Sequence, residues 1–153
     1  MNVIRLITLL IVVFFSQIIS AEGWDDYKNN TISKMLQNHE NANEGLDYLF
    51  MPGLPFKTKV RYLASTRNIS DERIDFISKW VKTHGLSQKL LKSYSKEILF
   101  EENNVKIWLP IQDVLIPYLR REVPVEEEVV LFVVLAGAKK NDWVFLINEF
   151  NTI

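Results

Sequence analysis

Cysteine does not occur anywhere in the 153 residues. Its absence excludes disulfides, thiolate nucleophiles, cysteine-based zinc sites and a lipid-modified N-terminal cysteine. Histidine is limited to two residues. His39 stands in an asparagine-rich stretch and His84 before a glycine, neither with a second ligand at metal spacing. The five glycines are scattered, so no phosphate-cradling loop is written into the chain. A Gly-x-Ser-x-Gly nucleophile elbow is also missing, and the adjacent pairs Ser33-Lys34, Ser78-Lys79 and Ser95-Lys96 are of the kind chance supplies. Charge of either sign is not in excess: 18 basic residues face 19 acidic ones. Without a basic field to displace counterions, a nucleic-acid partner is not expected. Cofactors are expected to be none.

What is present is apolar residue in quantity, 48% of the chain with 12% aromatic, enough for a core that needs no staples. The first residues have a positive start at Arg5, an apolar run over 6–15, and a small-residue approach through Ser20 and Ala21. That order reads as a cleavable secretory signal peptide ending at Ala21, with Ser20 the near alternative. A membrane anchor would need about 20 apolar residues, and Ser16 and Gln17 interrupt this run earlier. With the leader removed, 17 basic and 19 acidic residues give a mature net charge of −2. The expected localisation is export, periplasmic or secreted, with no stable membrane insertion after cleavage. An exported chain that manages without disulfides points to a bacterial source.

The mature chain divides into a helix-leaning part over 22–93 and a strand-leaning part over 94–153, expected to form one compact unit. Trp24, Tyr27, Met35 and Leu36 share a rough helical face, which places a helix over 25–37. Pro52-Gly53-Leu54-Pro55 reads as a breaker, and residues 57–65 lean towards helix despite the strand-like alternation of Thr58, Val60 and Tyr62. The firmest helix spans 71–83: Ser70 caps it, Asp71 and Glu72 sit in its first turn, and His84-Gly85 closes it. Ile74, Ile77 and Val81 form its apolar stripe, widened by Phe76 and Trp80.

Beyond Glu97 the period changes to two. Asn103-Asn104 suits a two-residue hairpin turn that would set Glu102 opposite Val105, Glu101 opposite Lys106, Phe100 opposite Ile107 and Leu99 opposite Trp108. Pro117 opens a short helical piece near 118–122, and the apolar runs 129–136 and 143–150 pair across a turn. Such continuously apolar strands are covered on both faces or closed into a small barrel. The expected class is therefore α+β: N-terminal helices, then an antiparallel four-stranded or barrel-like sheet with a short helix between hairpins.

For function, export and the missing catalytic sets point to a non-enzymatic module that binds a protein or peptide partner. Trp108, Tyr118 and Trp143 are the candidate binding aromatics, although each residue type is as readily core. Two alternatives remain. One is a small envelope hydrolase working on a glycan or cell wall through acids such as Glu101, Glu102 or Asp113. The other is a secreted effector. The runs Ile107-Trp108-Leu109-Pro110-Ile111-Gln112, 129–137 and 142–150 together resemble the C-terminal half of exported bacterial proteins with no assigned activity. That resemblance implies a small, self-contained β-rich unit in the bacterial envelope and brings no site residues with it.

Overall fold

The computed structural model describes residues 24–153; the expected signal peptide over 1–21 lies outside them. Within this span no helix is long and apolar enough to cross a membrane.

The backbone order is β1 (Lys28–Asn29), α1 (Ile32–His39), β2 (Tyr48–Asn68), α2 (Asp71–Thr83), α3 (Gln88–Lys92), β3 (Tyr94–Glu102), β4 (Val105–Gln112), α4 (Ile116–Glu122), β5 (Glu128–Lys139) and β6 (Asp142–Thr152). All strands belong to one six-stranded sheet ordered β1-β2-β3-β4-β6-β5, and β2 also pairs with β5. Five strands thus form a closed circuit of pairings. The sheet is mixed, because β1 runs parallel to β2 and β4 parallel to β6.

This corrects the expected fold class. A layer of N-terminal helices followed by a four-stranded antiparallel sheet is not what forms, since the first half contributes the longest strand, the 21-residue β2. Residues 57–65 are strand rather than helix because burial follows the period of two: Phe56, Thr58, Val60 and Tyr62 are buried, while Lys59 and Arg61 are exposed. Pro52 is accommodated inside β2 by an irregularity between Phe50 and Leu54, where the register to β5 shifts and Gly53 takes φ +93°; Pro55 follows it, opposite Val134. The helix expected over 25–37 is shortened to α1, and the chain before it forms a 3₁₀ turn and β1 instead.

Other expectations hold. α2 occupies 71–83 with the Ser70 side chain accepting from the Arg73 N–H, and it buries Phe76, Ile77, Trp80 and Val81. Asn103 and Asn104 both take positive φ, 51° and 64°, as a tight hairpin turn requires. The β3–β4 register is the one the sequence predicts, from Glu102↔Val105 to Leu99↔Trp108. Counting from that turn, Pro110 falls where its missing N–H faces β6, so the β3–β4 ladder loses nothing.

The circuit encloses one core. Phe56, Val60, Tyr62, Ile98, Phe100, Leu109, Ile111, Leu131, Val133, Leu135, Phe145 and Ile147 belong to it. Ile32 and Met35 of α1 close one end, and Ile116 and Leu119 of α4 close the other. α2 lies outside, packing Phe76, Ile77, Trp80 and Val81 on Ala136, Val144 and Leu146. β5 is apolar from Val129 to Ala138 because both its faces are covered there. Its odd-numbered residues enter the core, while Phe132 and Val134 lie under Tyr27 and Ala136 lies under α2. Gly137 is required there: with φ +133°, a Cβ would sit 1.9 Å from the Leu49 carbonyl oxygen.

Candidate functional site

Two turns meet at the end of the circuit closed by α1. α1 runs into a 3₁₀ turn, Glu40–Asn43, and Gly45 then reverses the chain with φ +75°. Opposite lies the β5–β6 turn, where Lys140 takes φ +52° and donates its N–H to the Asp47 carbonyl. Between them opens a cleft of about 480 Å³. That is inside the ~300–1,000 Å³ range usual for small-ligand sites. Its walls are Glu40, Asn41, Asn43, Glu44, Gly45, Leu46, Lys140, Asn141 and Trp143.

The wall is polar and largely unengaged. Asn43 is 7% exposed, yet its side-chain oxygen has no hydrogen-bond partner, alone in this among the buried side-chain atoms of the described residues. Buried acceptors are almost always satisfied, and one left unmet costs about 1–3 kcal/mol. Glu40, Glu44 and Lys140 form no ion pair among the described residues. Trp143, half-buried, rests against the enclosed core and pairs with Ala138 across the β5–β6 ladder. The turn that carries Asn43 is held by main-chain bonds. It has no side-chain cap, and its closing main-chain bonds, Glu44 N–H to Asn41 and Leu46 N–H to Asn43, measure 3.3 and 3.1 Å.

α1 fixes where this turn hangs. Its four N-terminal N–H groups are all met, two of them by the buried Glu102 carboxylate. Ile32 N–H donates to Oε1 at 2.9 Å and Ser33 N–H to Oε2 at 3.0 Å. The Ser33 hydroxyl adds a 3.0 Å bond, and the Thr58 hydroxyl one of 2.6 Å. The Thr31 side chain takes the Lys34 N–H, and the Thr31 carbonyl takes that of Met35. A carboxylate near the helix N-terminus also matches the helix dipole.

Of the three candidate aromatics, only Trp143 lines the cleft. Trp108 lies on the outer face of β4, its ring beneath the Arg67 guanidinium at 4.1 Å. Tyr118 sits on α4 with the Arg121 guanidinium 4.9 Å from its ring centre. α4 leads into the start of β5, whereas Trp143 stands opposite its end. Some nine residue steps of strand, roughly 30 Å, separate the two ends of that ladder. The three aromatics therefore do not share one surface.

The acids named for hydrolysis are apart too. Glu101 pairs with Arg61, Glu102 anchors α1, and the Asp113 carboxylate accepts the Ser95 N–H and hydroxyl. Ser93-Tyr94-Ser95-Lys96 has the Ser-x-x-Lys spacing. The Ser93 hydroxyl is spent on the Lys89 carbonyl and the Lys96 ammonium on Asn68. Both histidines are structural as well, each ring bonded through Nδ1 to the carbonyl four residues before it. No group of three or more metal-liking side chains occurs among the described residues.

A second polar cluster, invisible in the sequence, seals the seam between β4 and β6. These strands share a single residue pair, Ile111↔Ile147. Arg73 of α2 bridges the remainder: its guanidinium forks onto Asp142 at 2.9 and 2.7 Å and donates to Glu97 at 2.7 Å and to the Trp108 carbonyl at 3.0 Å. Burial works against its charge, but Asp142 and Glu97 outweigh it, so the guanidinium is held above its ordinary value. All three guanidinium nitrogens of Arg73 and both carboxylate oxygens of Glu97 are engaged, which makes the cluster structural. The cleft beside Trp143, whose charged side chains form no ion pair among the described residues, is the candidate site. No protein-family model matches this chain, and no curated protein matches it.

Proposed function

We propose that this chain is an exported, non-enzymatic binding module that holds a protein or peptide segment in the cleft beside Trp143. The observation that carries the reading is a cleft of ligand size walled by asparagine amides and Trp143. A peptide main chain supplies both donors and acceptors, and the asparagine amides at 41, 43 and 141 present the complementary pair. Trp143 adds a rigid amphipathic wall of the kind that anchors binding interfaces.

The scaffold reading goes with it. We take the closed circuit of five strands as a small barrel. Numbered along the chain from β2, its order is 1-2-3-5-4-1, with α4 between the third and fourth strands. This connectivity resembles the OB fold, whose loop between the fourth and fifth strands is one of its binding elements. Here that loop is the Lys140–Asn141 turn of the cleft. Fold likeness alone assigns no ligand, and the near-balanced charge disfavours nucleic acid.

Thermal shift with a pooled library of acetylated, amidated tripeptides tests the binding reading. A ligand present at 100 times its Kd stabilises the folded state by about 2.7 kcal/mol. A rise in Tm that disappears in Trp143→Ala supports the reading; no rise at millimolar peptide, or one unchanged in that variant, refutes it. Export is tested by intact mass: soluble protein lacking residues 1–21 is expected, and a full-length membrane-bound form contradicts it.

A further inference from the structure

We draw no further inference here: the strongest candidate, the surface patch of exposed lysines Lys82, Lys89 and Lys92 on the last turns of α2 and α3, carries nothing, because each stands where the helix dipole already favours a cation and nothing in the structure shows what covers it.

Discussion

Glu102 is where exchanging one buried polar atom for another should carry a large stability effect. Its carboxylate is 3% exposed and receives four hydrogen bonds, from Ile32 N–H, Ser33 N–H, the Ser33 hydroxyl and the Thr58 hydroxyl. Replacing it with glutamine keeps one oxygen for Ile32 and Thr58 but turns an NH₂ group towards the Ser33 N–H, donor against donor. The Ser33 hydroxyl can turn and accept, whereas the main-chain N–H cannot. Loss of one charged hydrogen bond and one stranded donor costs about 2–3 kcal/mol. Glu102→Leu strands two main-chain donors and the Thr58 hydroxyl together, at about 4 kcal/mol or more. Urea unfolding of the parent, both variants, Thr58→Val and the Thr58→Val/Glu102→Gln pair measures each effect and their coupling. Coupling of about 1 kcal/mol is expected between Thr58 and Glu102. Amide exchange at Ile32 and Ser33 should quicken in both Glu102 variants, since α1 loses its anchor. A glutamine variant within 0.5 kcal/mol of the parent, with unchanged exchange, refutes the reasoning.

Arg73→Met should cost about 3 kcal/mol in the same unfolding assay, because it removes one of the two guanidinium partners of Glu97, whose side chain is 1% exposed. Gly137→Ala should prevent folding or cost more than about 3 kcal/mol, since the new Cβ meets backbone at 1.9 Å; Gly45→Ala, with left-handed φ but open space, should cost only about 1 kcal/mol. Circular-dichroism melts separate these two glycines. Glu149 is held above its ordinary value chiefly by burial. Its folded form therefore binds a proton more tightly than the unfolded chain, and its contribution to stability is present below the unfolded pKa and lost as pH rises through the folded one. Glu149→Gln should accordingly be more stable than the parent at neutral pH and lose that advantage in acid. A constant difference across the pH range contradicts this assignment.

What the sequence discloses and what it hides follow from how local each signal is. The β3–β4 register was legible because turn chemistry, charge pairing and apolar pairing all act within a dozen residues. The same holds for α2, whose cap, first-turn acids and closing His84-Gly85 are contiguous. β2 was obscured because its alternation competes with a helical spacing of Phe56, Val60 and Leu63, and its prolines read as a break. Only the partner strand, with its shifted register at Phe50 and Leu54, shows how they fit. The parallel bridge between β4 and β6 joins residues 36 positions apart, and no local pattern announces it. The site was half legible. Trp143 was named for its aromatic character, but Asn43 lies in a stretch of ordinary loop composition. Its significance comes from burial without a partner, a property of the folded chain alone.

Amide hydrogen exchange, followed residue by residue with and without the pooled tripeptides, bears most directly on the cleft as the binding site. Slowed exchange confined to residues 40–46 and 140–143, with the Trp108 and Tyr118 surfaces unchanged, is the predicted result. Protection around Trp108 or Tyr118 while the cleft exchanges as before would place binding elsewhere and contradict the account.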